Sequence, residues 1–199
     1  MNIVIIKYNA GNIQSVSFAL QRLGIEPVIS ADPEIISSAD KVIFPGVGEA
    51  FNTMKYLCEH KLDQVITSLK QPVLGVCLGL QLMCKHSEEG DTTCLGIFDE
   101  KVIKFVPEKG KENIDKVPHM GWNTIKNLKS GLFDSSLENQ YVYFVHSYYA
   151  TVGEHTAALT QYTQPFSASL KKDNFYATQF HPEKSGTVGA RILKNFIQL

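Results

Sequence analysis

Gln71-Pro72-Val73-Leu74-Gly75-Val76-Cys77-Leu78-Gly79-Leu80-Gln81 is the stretch on which the reading of this chain turns. A Val- and Leu-rich run ends in a cysteine flanked by Gly75 and Gly79, and a helical pattern follows at once. The spacing predicts a strand, a tight turn and a helix, with one nucleophile at the turn. Glycines two residues to either side let the chain reverse sharply and keep the neighbouring backbone close. The pattern is that of G-x-S-x-G, a nucleophile elbow, with sulfur in place of the hydroxyl. A helix beginning just after Cys77 would favour a thiolate, because its first N–H groups are unpaired and partly positive. A buried structural cysteine in a β-α turn fits the same spacing. The elbow alone leaves the two readings level.

Composition sets the frame around it. The 199 residues suffice for one domain, 1–199, with a well-formed core. Apolar residues at 44% and charged residues at 20% are those of a globular chain and exclude a disordered one. A formal charge of −1 supplies no field to draw nucleic acid or an anionic membrane surface. Met1 to Lys7 reads as a strand rather than a secretory signal, and no apolar run is long enough to span a bilayer. A reducing cytoplasm is the expected compartment. Cys58, Cys77, Cys84 and Cys94 form no C-x-x-C pair. Cys58 with His60, and Cys84 with His86, lack a second pair at zinc-site spacing. Cys84 and His86 are moreover placed on the helix after Cys77, where near neighbours point in different directions. No metal and no cofactor are expected.

Along the chain, Ile3–Ile6 is a continuous apolar strand of the kind buried on both faces. Asn9-Ala10-Gly11-Asn12 is turn chemistry, with Asn12 placed to cap the helix that Ile13, Val16, Leu20 and Leu23 mark out and Gly24 stops. Strands follow at Pro27–Ser30 and Lys41–Phe44, the latter ending at Pro45-Gly46-Val47-Gly48. Helical pattern returns through Met54, Leu57, Val65, Ile66 and Leu69 before the elbow strand. Strands alternating with helices predict β-α units and a parallel sheet. The second half reads as strands at Lys101–Phe105, Gly121–Ile125, Tyr141–Tyr149, Thr156–Tyr162, Phe166–Lys171 and Phe175–Phe180, with a hairpin turn at Lys172-Asp173-Asn174. A last helix carries Val188, Ile192, Phe196 and Leu199 on one stripe. The expected fold is α/β: an open, mostly parallel sheet flanked by helices and extended by antiparallel strands.

Open α/β sheets bind ligands outside the carboxyl ends of their parallel strands. The turn after Phe44, the elbow at Cys77 and the segment Gln179-Phe180-His181-Pro182-Glu183-Lys184-Ser185 should therefore meet. A lone His-Pro-Glu is an ordinary surface loop. At the end of a strand, in a chain with a nucleophile elbow, His181 becomes the base and Glu183 its orienting carboxylate. Pro182 fixes the backbone between them. His146, after an apolar strand, reads as a structural histidine rather than a second base.

Gly75-Val76-Cys77-Leu78-Gly79-Leu80-Gln81 together with Phe180-His181-Pro182-Glu183 resembles the class I (triad) glutamine amidotransferases, and Pro45-Gly46-Val47-Gly48 completes the likeness as their oxyanion strand. Tyr8-Asn9-Ala10-Gly11-Asn12 and Val117-Pro118-His119-Met120-Gly121-Trp122-Asn123 narrow it to the glutaminase subunits of imidazole glycerol phosphate synthases of histidine biosynthesis. The likeness runs from Ile3 to the C-terminal helix and implies a flavodoxin-like core. It departs at Lys7-Tyr8-Asn9, where the family usually has Asp-Tyr-Gly. Asparagine tolerates left-handed backbone better than most residues, and the triad is untouched.

The chemistry suits these residues. The Cys77 thiolate would attack the amide carbon of glutamine. His181 would take the thiol proton and protonate the departing ammonia, with Glu183 holding the imidazole. Each tetrahedral oxyanion needs donors: the Leu78 N–H at the helix start is one, and the resemblance names Val47 as the other. It also places Gly48, Gln81, Glu89, Ser147 and Tyr148 around the glutamine. The resemblance further implies that Asn12, Trp122 and Lys184, with the neighbouring Met120, fall on a face that docks a partner, a separate (β/α)8-barrel cyclase forming a heterodimer with this chain. Ammonia freed into neutral water is protonated and lost as a nucleophile, so a closed hand-over to a partner is needed. Two other readings stand beside this one: a class I glutaminase of another pathway, such as vitamin B6 synthesis, and a catalytically silent binding subunit of the same fold.

Overall fold

Period-two alternation in the first apolar run decides how the core divides. The computed structural model describes residues 1–8, 12–107, 109–110 and 116–199, so Asn9, Ala10 and Gly11 of the first loop lie outside the described residues. The first half of the chain holds β1 (Ile3–Ile6), α1 (Ile13–Gln21), β2 (Val28–Ser30), α2 (Pro33–Ser37), β3 (Lys41–Phe44), α3 (Ala50–Glu59), α4 (Leu62–Ser68), β4 (Val73–Val76) and α5 (Leu78–Met83). The second half holds β5 (His86–Ser87), β6 (Thr92–Thr93), β7 (Lys101–Lys104), β8 (His119–Thr124), β9 (Tyr141–His146), β10 (Tyr148–Ala150), β11 (Thr156–Gln161), β12 (Pro165–Lys172), β13 (Phe175–Thr178) and α6 (Gly186–Gln198). Val4 and Ile6 join Ile36, Met54, Leu57 and Ile66 on one side of the sheet. Ile3 and Ile5 join Val16, Leu20, Ile192 and Phe196 on the other. Helices thus cover both faces of a buried parallel sheet.

The main sheet runs β11-β12-β13-β4-β3-β1-β2. β13, β4, β3, β1 and β2 are mutually parallel, while β12 is antiparallel to β13 and β11 to β12. The parallel strands follow the order 2-1-3-4-5, that of flavodoxin-like sheets. This is the mostly parallel sheet with an antiparallel extension that the sequence predicts. Asp173, in the hairpin between β12 and β13, has φ 49, as such a turn needs. Two smaller sheets, β10-β7-β5-β6 and the ribbon β8-β9, lie apart from it in the pairing.

Several elements differ from the sequence reading. The pattern from Met54 to Leu69 is two helices, because Lys61 takes a left-handed φ of 58 and breaks the run between α3 and α4. α5 ends at Met83, so Cys84 caps it and His86 lies in β5; the two do not share a helix. The run Tyr141–Tyr149 splits at Ser147, with β9 pairing with β8 and β10 with β7. A strand that changes sheets cannot be told by periodicity from one that continues. Asn12 precedes α1 but makes no capping bond with its side chain. α2 went unpredicted, although Asp32-Pro33-Glu34 announces it: Asp32 Oδ1 accepts the Glu34 and Ile35 amides, and Pro33 opens the helix.

Candidate active site

Parallel register brings the three segments together. β4 lies between β3 and β13, with Phe44 opposite Gly75 and Thr178 opposite Val76. The chain leaving each strand therefore emerges on the same edge. Cys77 sits there with φ 53 and ψ −107, a backbone that side chains other than glycine seldom adopt. Strain at the turn is carried by the cysteine itself. The glycines serve close approach instead: a Cβ on Gly79 would lie 2.2 Å from the Phe44 carbonyl, and one on Gly46 would lie 2.3 Å from the Gly79 amide. The Pro45–Gly48 turn is thereby pressed against the start of α5.

In this conformation the Leu78 N–H donates to the Gly46 carbonyl at 3.4 Å. One of the two donors expected for an oxyanion thus faces a protein carbonyl, although Leu78 and Val47 both line the cavity beside Cys77. The Tyr8 hydroxyl donates to the Pro45 carbonyl and pins the same turn. Burial, and then the charge of Cys77, raise the Tyr8 phenol above its ordinary range, so it stays a donor. The sequence reading gave Tyr8 no role; only the fold shows which carbonyl it reaches.

His181 follows β13 and is anchored through its backbone. Its N–H donates to the Tyr143 carbonyl at 2.9 Å, and its own carbonyl accepts the Ser185 hydroxyl at 2.6 Å. His181 Nδ1 and Glu183 Oε1 are 2.7 Å apart, with both side chains 1% exposed. A carboxylate only accepts, so Nδ1 carries the proton and Nε2 remains for the cavity. Nε2 is buried without a hydrogen-bond partner among the described residues. Burial opposes charge on this imidazole, but Cys77 and the hydrogen-bonded Glu183 outweigh it and lift its pKa well above the ordinary value. Asn12 Nδ2 donates to the same Glu183 oxygen at 2.7 Å. The side chain expected to cap α1 orients the carboxylate instead.

A cavity of about 310 Å³ opens in front of Cys77 and His181, within the usual size of small-molecule sites, about 300–1,000 Å³. Its walls bring together Val47, Gly48, Leu78, Gln81, Glu89, Ser147, Tyr148 and Lys184, every one of them singled out in the sequence. Glu89 Oε2 accepts the Ala50 amide at 2.8 Å, and burial raises its carboxyl pKa. Gln81 is buried, and its Nε2 donates to the Tyr148 carbonyl at 2.8 Å and to Gln179 Oε1 at 3.0 Å. It can offer a ligand only its oxygen.

His146 is structural, as expected. Its Nδ1 donates to the Tyr148 carbonyl at 2.7 Å and its Nε2 meets His119 Nδ1 at 3.1 Å. Met120 and Trp122 lie outside the cavity on β8, 67% and 55% exposed, with Trp122 edge-on to Tyr143 at 6.0 Å. The one tryptophan of the chain is therefore left half in water on a two-stranded ribbon rather than in the core.

Residues 4–199 match the family described as glutamine amidotransferase class-I. The chain is 62% identical over 199 residues to the imidazole glycerol phosphate synthase subunit HisH of Bacteroides fragilis, covering all of both chains. It is 44% identical over 201 residues to the subunit of that name from Yersinia pseudotuberculosis, again covering all of both. A crystal structure of a glutamine amidotransferase has the same fold, with a TM-score of 0.69 at 19% identity, over 98% of this chain and 97% of that one. This chain belongs to the class-I glutamine amidotransferases and, within them, to the family of the imidazole glycerol phosphate synthase HisH subunits.

Proposed function

We propose that this chain hydrolyses glutamine to glutamate and ammonia at Cys77 and passes the ammonia to a separate cyclase subunit. That subunit would use it to make imidazole glycerol phosphate and an aminoimidazole carboxamide nucleotide in histidine biosynthesis. One observation carries the reading: a buried His181–Glu183 pair, 2.7 Å apart, whose other imidazole nitrogen shares a cavity with a cysteine held at a strained elbow. The setting is cytoplasmic; no helix among the described residues is long and apolar enough to cross a membrane.

Attack by Cys77 Sγ on the amide carbon forms a tetrahedral oxyanion. His181 Nε2 holds the thiol's proton and delivers it to the amide nitrogen, so that ammonia leaves and a glutamyl thioester remains on Cys77. Water, deprotonated by His181, then releases glutamate and restores the thiol. Glu183 fixes the tautomer throughout, and Asn12 steadies Glu183. Glu89 answers the ammonium of the amino acid, while Gly48, Gln81, Ser147 and Tyr148 line the rest of its path. The oxyanion needs the Leu78 N–H, which now faces the Gly46 carbonyl at 3.4 Å. Rotation of the Gly46–Val47 peptide would turn that carbonyl away and bring in the Val47 N–H. Losing one such donor costs about 3–4 kcal/mol of transition-state stabilisation, so the isolated chain idles.

The partner is a (β/α)8 barrel that docks on Met120 and Trp122, with Asn12 and Lys184 at the rim. Its signal has a short way to travel, because Tyr143, against which Trp122 packs, accepts the His181 backbone N–H. Ammonia release from glutamine, followed with and without the cyclase and its nucleotide ligand, tests the proposal. Very slow release alone and strong acceleration in the complex support it; full activity without a partner overturns it.

A further inference from the structure

The β13–β4 register that sets Thr178 level with Val76 also sets the next residues, Gln179 and Cys77, side by side. Gln179 is fully buried, and a buried amide must satisfy both of its ends. Its Nε2 lies 3.6 Å from Cys77 Sγ, and its Oε1 lies 3.0 Å from Gln81 Nε2.

The two ends of an amide look alike, but the neighbours here leave one choice. The Tyr148 backbone carbonyl can only accept, so the Gln81 atom 2.8 Å from it is the amide nitrogen. That NH2 offers its second hydrogen to Gln179, which must answer with oxygen. The Gln179 NH2 is left pointing at the sulfur. Behind Tyr148 the ordering continues. Its carbonyl takes the His146 Nδ1–H at 2.7 Å, His146 Nε2 takes the His119 Nδ1–H at 3.1 Å, and Asn123 Nδ2 stands 3.4 Å from His119 Nε2. Burial lowers the pKa of His119 to about 4 and of His146 to about 3, so both rings are neutral and each has one donor and one acceptor to align.

We propose that Gln179 is a further catalytic residue: its side-chain amide donates to Cys77 Sγ and stabilises the sulfur's negative charge, with Gln81 as the positioning residue that keeps the amide turned that way. A donor aimed at sulfur serves a thiolate better than a thiol. Hydrogen bonds to charged groups contribute about 1.5–3 kcal/mol, equivalent to about ten- to hundredfold in the thiol–thiolate equilibrium and so in the fraction of reactive sulfur. The role rests on Cys77 being the nucleophile, but it can be read without glutamine.

The test is site-resolved alkylation of the full chain by iodoacetamide, with the Cys77 peptide quantified by mass spectrometry. Cys58, free and exposed, serves as internal reference. Gln179→Met should slow alkylation of Cys77 about tenfold or more and leave Cys58 unchanged. In the complex with cyclase, kcat for glutamine should fall in step while KM stays within about twofold. Gln179→Leu removes the donor in the same way with a different side-chain shape, should slow alkylation as much, and decides the matter if the Met variant does not fold. Unchanged Cys77 alkylation in folded Gln179→Met or Gln179→Leu overturns the proposal. Slowed alkylation with unchanged glutaminase turnover would instead overturn the role of Cys77.

Discussion

Acid should loosen this protein through two histidines that do no chemistry. His119 and His146 face each other in an aromatic box, His119 stacked on Phe144 and Tyr162 at 4.9 and 4.0 Å, His146 edge-on to Phe166 at 5.2 Å. Burial, which disfavours the charged ring, holds them neutral with pKa values lowered to about 4 and about 3. In the unfolded chain each has a pKa of about 6.5. Below that value the unfolded state binds protons that the folded state refuses, so stability falls as pH falls from about 6.5 towards 4 and is retained above 6.5. Between pH 7 and pH 5 each ring removes about 2 kcal/mol, and the pair about 4 kcal/mol. Whole-domain stabilities are about 5–15 kcal/mol, so the loss is large. His181 offsets less than about 1 kcal/mol of this loss, because its pKa is raised and its stabilisation is fully present only below about 6.5, where the unfolded ring is protonated too. Urea unfolding at pH 7, 6 and 5 reads the effect. His119→Phe keeps the ring stack and should remove about half of the acid loss. If that variant lost as much stability between pH 7 and 5 as the parent chain, the reasoning would be wrong.

Three further outcomes follow from named contacts. Asn12→Ala removes the 2.7 Å donor from Glu183 and should lower kcat of the complex about tenfold or more with KM nearly unchanged, as steady-state ammonia release will report. Gly46→Ala would place a methyl 2.3 Å from the Gly79 amide and should cost at least about 2 kcal/mol in urea unfolding. Trp122→Ala, at a side chain half in water, should change the isolated chain's stability by less than about 0.5 kcal/mol. The same change should weaken cyclase binding in calorimetric titration by about 2 kcal/mol, some thirtyfold.

How far the sequence reached follows from which interactions are local. Val73–Val76 and Ile3–Ile6 were legible as buried strands because side-chain alternation and β-branching are properties of the segment itself. The meeting of Gly48, Cys77 and His181 was legible because parallel strands share a carboxyl edge. The fold places them at β3, β4 and β13 rather than between β1 and β3, where the strand order reverses. Contacts set by tertiary register were not legible. Tyr8 reaches Pro45, Asn12 reaches Glu183 and Gln179 reaches Cys77 over separations of 37, 171 and 102 residues. Gln179 nevertheless had a signal: it stands two residues before His181, beside Cys77 once the two strands pair. The Gly46 carbonyl facing Leu78 is a matter of peptide orientation, which no residue identity specifies.

If Cys77 is the sulfur that meets glutamine, a glutamine-shaped diazoketone should find it. Incubated with the chain in complex with the cyclase and then mapped by peptide mass, the reagent should modify Cys77 and spare Cys58, although Cys58 is the exposed thiol and Cys77 the buried one. Cys77→Ala should abolish both labelling and ammonia release. Labelling confined to Cys58, or ammonia release surviving in Cys77→Ala, would contradict the account.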